Sequence, residues 1–221
     1  MTGGTALPRL ERVLAVVAHP DDESFGLGAL LDTFVRGGAA ASVLCFTHGE
    51  ASTLHGRPGE LADVRAAELT SAAEVLGVTS TTLLDHPDSA LASVAVADLA
   101  TDIADAAARV APGHLLTFDI GGVTGHPDHI RATEAALEAA AALGIPVLGW
   151  AVPDEVATQL NGEFGTAFAG RRADEIDWTV PVDRSRQRKA IAAHASQSAD
   201  NPVLHRRLQL LGDTEYLRSL G

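Results

Sequence analysis

Two short strings hold the side chains best suited to chemistry: Ala18-His19-Pro20-Asp21-Asp22-Glu23 and Gly125-His126-Pro127-Asp128-His129. Together they bring histidines and carboxylates at metal-ligand spacing. Catalytic zinc is typically held by three ligands drawn from His, Asp, Glu and Cys, with water completing the shell and its pKa lowered to about 7. His19 and Asp22 can supply two ligands from one turn, and His129 is the natural third. Asp21 adjoins a ligand but points elsewhere, which suits a general base. The pattern points to metal-dependent hydrolysis. Three N/O ligands without thiolate suit Zn²⁺, and Fe²⁺ is compatible with the same set.

These groups need elements to position them. The apolar run Val13-Leu14-Ala15-Val16-Val17 suits a strand buried on both faces of a parallel sheet. His19 to Glu23 then follow its carboxyl end, the edge where open α/β sheets bind ligands. Pro127-Asp128 opens a helical stretch continuing through Ile130 to Leu143, so His126 precedes the helix and His129 sits in its first turn. Residues three apart share one side of a helix, so both imidazoles can face one pocket, one toward metal and one toward substrate.

At these residues the chain resembles the PIG-L/LmbE-like family of zinc-dependent de-N-acetylases, whose signature is an AHPDDE string followed by a GHPDH string. The resemblance extends to Thr47-His48-Gly49-Glu50, to Arg65-Ala66-Ala67-Glu68 leading into Leu76-Gly77-Val78, to Lys189-Ala190 with His194-Ala195-Ser196-Gln197, and to Glu215-Tyr216. It implies zinc on His19, Asp22 and His129, Asp21 as general base, and removal of acetyl from N-acetylglucosamine-type sugars. It further implies that His126 stabilises the tetrahedral intermediate or protonates the leaving amine, and that Arg65 and Asp88 contact the sugar. Two positions depart from the family pattern. Thr124 stands where some members carry a mobile tyrosine, and Asp119-Ile120 replaces the usual Asp-Pro.

Each residue also has a plainer reading. His-Pro-Asp is common loop chemistry, since proline fixes φ and Asp caps a following helix. His86-Pro87-Asp88 is such a triplet without the flanking groups, so a turn competes with the substrate-loop role of Asp88. Glu23 and Asp128 are candidates for orienting a ligand, or for charge at a helix start. On the residues alone, Arg65 and Glu68 pair with each other on a solvated face. His194 reads equally as an ordinary packed or surface histidine. Cys45, inside an apolar strand, reads as a buried inert thiol. Gly26-Leu27-Gly28 lacks the third glycine of a dinucleotide fingerprint, and the three preceding carboxylates repel a pyrophosphate. Gly26 and Gly28 read as close-packing points of the first helix on the sheet.

With 221 residues and 46% hydrophobic content the chain can bury a sizeable core. Alternating patterns predict a Rossmann-like α/β domain over residues 1–221, a mostly parallel sheet with helices on both faces. Strands are expected at 12–18, 42–47, 81–84, 115–118 and 147–152, with 178–182 at an edge. Helices are expected near 25–36, 61–76, 94–110, 130–143 and 184–195. Segments 48–59 and 161–172 read as mobile loops. A net charge of −13 opposes nucleic-acid binding. Arg184, Arg186, Arg188, Lys189, Arg206 and Arg207 read as a solvated helix face with acidic neighbours, with contact to an anionic substrate tail as the alternative. No membrane span or leader pattern is visible, so the expected location is cytoplasmic; a homo-oligomer is left open. The expected activity is hydrolysis of an N-acetyl amide on a small amino sugar or its conjugate. The alternatives are a hydrolase of another conjugate amide and a non-catalytic metal- or sugar-binding subunit.

Overall fold

A computed structural model describes residues 7–54 and 61–221. In chain order the elements are β1 (Arg12–Val17), α1 (Asp22–Phe25), α2 (Gly28–Arg36), β2 (Ala40–Thr47), α3 (Leu61–Leu76), β3 (Ser80–His86), α4 (Val96–Val110), β4 (His114–Phe118), α5 (Pro127–Leu143), β5 (Val147–Pro153), α6 (Asp154–Phe164), β6 (Gly170–Arg171), β7 (Trp178–Pro181), α7 (Ser185–Ala193), α8 (Ala195–Ser198), α9 (Pro202–Leu211) and β8 (Thr214–Leu220). The sheet order is β3-β2-β1-β4-β5-β8-β7, with β6 beside the end of β5. The first five of these strands run parallel, whereas β8 is antiparallel to both β5 and β7. Strand order reverses between β1 and β4, and their carboxyl ends open one crevice there.

Helices cover both faces because the central strands are apolar on both. Val13, Ala15 and Val17 of β1 pack into a core with Leu31 of α2, Leu69 of α3 and Leu160 of α6. Leu14 and Val16 pack into the opposite core, with Leu99 and Ile103 of α4 and the alanine stripe of α5. Gly26 lies where helix meets sheet: a Cβ there would sit 2.7 Å from Phe118 and 3.1 Å from Trp150. Gly28 corrects the sequence expectation, because its close neighbour is Gln187 of α7 and not the sheet.

β7 is the expected edge strand, and β8 was not anticipated. Its inward alternation is broken by Glu215 and Arg218, and these charges are satisfied internally. Glu215 is buried and accepts from Trp150 Nε1 at 2.7 Å and from Arg184 Nη1. Arg218 donates to Asp119 at 2.8 Å. The solvated basic face is therefore corrected at two positions, since Arg184 and Arg207 are both buried. The expected loop 161–172 is also corrected: Asn161 to Phe164 end α6, and Gly170–Arg171 form β6. Part of the other expected loop, residues 55–60, lies outside the described residues. Among the described residues no helix is long and apolar enough to cross a membrane.

Deleting Glu215 leaves the Arg184 guanidinium charged and buried without its carboxylate. Glu215→Ala is expected to cost about 3–5 kcal/mol, the scale for breaking a buried pair from one side. Urea denaturation of both proteins measures this; a loss below about 1 kcal/mol contradicts it.

Candidate metal and acid-base site

Both expected strings lie at the reversal in strand order. The turn after β1 carries His19 to Glu23, and the segment 119–126 after β4 delivers His126 and His129 at the start of α5. His19 Nδ1 lies 3.2 Å from His129 Nε2. Asp22 Oδ1 is 3.1 Å from His129 Nε2, and Asp22 Oδ2 is 3.5 Å from His19 Nδ1. A tetrahedral ion bonded at 2.0–2.1 Å separates its ligand atoms by about 3.3 Å. The three residues thus stand at spacings compatible with such a shell, Asp22 facing each histidine with a different oxygen, and all three are buried.

Outer partners aim the lone pairs. His129 Nδ1 is 2.8 Å from Thr124 Oγ1, so a proton on Nδ1 leaves Nε2 facing inward as a lone pair. His19 Nε2 lies 3.1 Å from Asp88 Oδ1 and 3.3 Å from Asp128 Oδ2, which places its proton there and frees Nδ1. Burial opposes charge on His19, but hydrogen bonds to Asp128, Asp22 and Asp88 outweigh it and hold its pKa well above the usual value. Asp88 is pulled down to about 2: burial raises it, and the His19 contacts with the Ala51 N–H prevail. The third histidine-proline-aspartate string, His86-Pro87-Asp88, is divided here. His86 turns away to Asp102 at 2.7 Å, while Asp88 reaches the cluster.

Thr124 depends on an unusual backbone. Gly122 and Gly125 have φ of 69° and 77°, and Val123 between them has φ 58°. A Cβ on Gly122 would sit 2.7 Å from that of His129. Asp119 anchors the segment through Arg171 and Arg218. The departure from tyrosine at position 124 was legible in the sequence; its contact with His129 was not.

His126 caps α5. Its Nδ1 accepts the Asp128 N–H at 3.2 Å, so the neutral ring carries its proton on Nε2. Burial and the neighbouring histidines lower its pKa. His126 also offers a nitrogen within 4.8 Å of those of His19 and His129, and Asp88 and Asp128 offer carboxylate oxygens at the same range around His19. The His126 lone pair is committed to the helix cap, whereas His19 Nδ1 and His129 Nε2 face each other.

Asp21 has φ 124°, which is strained for a residue with a side chain. It is held by Glu23, which accepts its N–H at 2.9 Å, and by Arg65 Nη2, which donates to its carboxylate at 3.0 Å. Burial pushes the Asp21 carboxyl up to about 6 against the pull of Arg65. Arg65 also donates to Pro20 O and Gly49 O, so it clamps two turns and does not pair with Glu68. Gly49 is required there, because a Cβ would collide with the guanidinium. Glu68 instead accepts from Ser196 N and Oγ at 2.8 and 2.6 Å. His194 is fully buried, 2.7 Å from Glu23, and Gln197 accepts from Ser52 Oγ at 2.7 Å. The late His-x-Ser-Gln string thus buttresses the site from behind. Cys45 is buried and its thiol is pushed well up by burial, as expected of an inert group.

A pocket of about 380 Å³ opens on this cluster. Phe25, Phe118, Phe168 and Leu204 give it apolar walls, and Asn201 and Arg207 also line it. None of these six was singled out for the site in the sequence reading; the nearest signal was Arg207 in the basic stretch.

Fold and cluster define an α/β protein with a His/carboxylate centre competent for a divalent cation. The PIG-L family model, described as GlcNAc-PI de-N-acetylase, matches residues 14–140, and the chain belongs to this family. A 1D-myo-inositol 2-acetamido-2-deoxy-alpha-D-glucopyranoside deacetylase of Kineococcus radiotolerans is 34% identical over 189 residues, covering 69% of this chain and 52% of the relative. The chain thus spans about half the length of that relative. The protein of the same name from Salinispora arenicola is 31% identical over 252 residues, covering 93% and 82%. The A40926 pseudoaglycone deacetylase superposes with TM-score 0.72 at 22% identity, covering 96% of this chain and 98% of that one. A 4-carboxy-2-hydroxymuconate hydratase from Pseudomonas putida also reaches 0.72, at 20% identity and 96% coverage of each. The fold alone therefore does not select the reaction.

Replacing the hydroxyl that orients His129 should weaken metal binding by about 10–100-fold, the usual effect of losing an outer partner. Thr124→Val is expected to do this in a chelator competition titration, and Thr124→Ser to restore most of the affinity. Equal affinity of all three proteins contradicts the orienting role. A second expectation concerns His194, where burial lowers the pKa but Glu23 raises it further, for a net upward shift. Its unfolded pKa is about 6.5, so the stabilisation is full below that value and is lost as pH rises through the folded value. The stability gap between the parent protein and His194→Gln should shrink from pH 5.5 to 8.5; a widening gap reverses the assignment.

Proposed function

We propose that this chain removes the N-acetyl group from an N-acetylglucosamine-type sugar or sugar conjugate, using Zn²⁺ held by His19 Nδ1, Asp22 and His129 Nε2. The carrying observation is the convergence of those donors beside two groups that metal binding alone does not need, Asp21 and His126. When bound, the ion supplies Lewis acidity and acidifies water. Fe²⁺ suits the same donors.

The chain's own residues supply the remaining steps. Asp21, poised near neutrality by burial and Arg65, takes the proton of the attacking water. Arg65 keeps that carboxylate aimed while its charge limits the upward shift. Neutral His126 presents Nε2–H to the amide oxygen as negative charge develops on it, a preorganised donor in a partly buried site. The proton on Asp21 or His126 then passes to the leaving amine. Asp88 is assigned to the sugar-facing side of the pocket through the same carboxylate that orients His19. The strained backbone of Asp21 favours catalysis over a binding-only role, because such strain persists only where the surroundings over-determine it. The relatives' inositol glucosaminide heads the substrate panel, with other conjugate amides beside it.

Metal-loaded protein should release amine and acetate in equal amounts, and chelation should abolish this reversibly. Asp21→Asn should keep its metal and lose about 10²-fold or more in kcat. Asp22→Ala and His129→Ala should lose the metal. Full activity after metal removal, or full activity of both Asp21→Asn and His126→Ala, overturns the mechanism.

A further inference from the structure

Arg207 of α9 lines the same pocket, and its charge is unmatched at close range. The residue is buried. Its guanidinium lies 5.0 Å from the centroid of the Trp150 ring, and Nη2 donates to Phe25 O. Its buried Nε has no hydrogen-bond partner, and among the described residues no carboxylate forms an ion pair with it. Glu215, the acid with the strongest through-space pull on Arg207, is already taken by Arg184 and the Trp150 indole. Arg184, Glu215 and Arg207 therefore form a buried group with one surplus positive charge. Asp21 and Asp22 act on Arg207 only through space. In the proposed function Asp22 is neutralised by a cation and Asp21 is held by Arg65. Burying an unmatched cation is costly, and an apolar collar of Phe25, Val203 and Leu204 makes any anion beside it more strongly held.

We infer that Arg207 is a substrate-binding residue that receives a carboxylate carried on the part of the substrate beyond the scissile amide. A carboxylate fits better than a phosphate. Arg65 is the other cationic side chain lining the pocket besides its histidines, and its guanidinium is spent on Asp21, Pro20 and Gly49. One guanidinium can match a monoanion, whereas a phosphate dianion calls for more donors. Burial, with Arg184 nearby, lowers the Arg207 pKa to about 10 against the pull of Glu215, which leaves it charged at neutral pH. The basic residues first read as a solvated face thus include one that faces the reaction pocket.

This inference rests on the proposed deacetylation, and the test separates the two. Metal-loaded protein is assayed for amine release on matched N-acetylglucosaminides whose aglycones end in a carboxylate, a carboxamide or a phosphate, with spacers of one to four methylenes. At the best spacer the carboxylate is expected to exceed the carboxamide in kcat/KM by about tenfold or more, the scale of one charge-assisted hydrogen bond. Arg207→Gln should collapse that ratio toward one, and Arg207→Lys should retain part of it; metal content and thermal unfolding establish that each variant is folded. If Arg207→Gln fails to fold, the parent protein's ratio and its partial reduction in Arg207→Lys decide the matter. Equal rates for acid and amide across all spacers, or preference for the phosphate, overturn the inference while leaving deacetylation standing. So does a variant that loses only inhibition by added acetate, since the bound carboxylate is then the product. No amine release from any conjugate overturns the deacetylase reading itself.

Discussion

Five carboxylates, Asp21, Asp22, Glu23, Asp88 and Asp128, crowd the mouth of the crevice between β1 and β4, and this crowding is the constraint that the rest of the structure answers. Like charges withdrawn from water destabilise one another unless each is given a cation or a hydrogen-bond donor. Each has one here: Arg65 for Asp21, the backbone N–H groups of Ala18 and His19 for Asp22, His194 for Glu23, and His19 for Asp88 and Asp128. The pairing leaves donor atoms of three residues, His19, Asp22 and His129, 3.1 to 3.5 Å from one another, a geometry that a divalent cation would stabilise further.

Distant segments are recruited to hold that geometry. α3 contributes Arg65 to the front of the site and Glu68 to the segment behind it, so one helix ties the two together. The late helices line the pocket through Gln197, Leu204 and Arg207, and Trp150 meets them from the sheet through its contact with Arg207. The glycine-rich segment before α5 accepts left-handed backbone at Gly122, Val123 and Gly125 so that a threonine hydroxyl can meet His129. Membership of the PIG-L family accounts for the paired strings, and the packing explains why residues far from them in sequence are needed.

Much of the scaffold was legible because it is written in local pattern. The apolar runs of β1, β2, β4 and β5 and the long helices α3, α4 and α5 lie where periodicity places them. α9 has a readable start, with Asn201 accepting from Leu204 N and Pro202 in the first turn, yet its basic residues have the local pattern of a solvated face. β8 was hidden because its charged residues pair with Arg184 and Asp119, partners separated by 31 and 99 positions. The site divides in the same way. Short-range strings identify candidate donors, whereas the lone-pair directions depend on Thr124, Asp88 and Asp128, and the roles of Arg65 and Glu68 depend on partners from 20 to 196 that no local pattern reveals.

The central proposal is that two strings a hundred residues apart complete one coordination shell through two imidazoles and one carboxylate. X-ray absorption at the zinc edge on protein loaded with one equivalent of Zn²⁺ tests it directly. The expected spectrum has only nitrogen and oxygen neighbours at about 2.0–2.2 Å, with multiple scattering from two imidazoles. His126→Ala should leave it unchanged and His129→Ala should remove one imidazole. A shell of three imidazoles, or one that survives His129→Ala intact, would contradict the account.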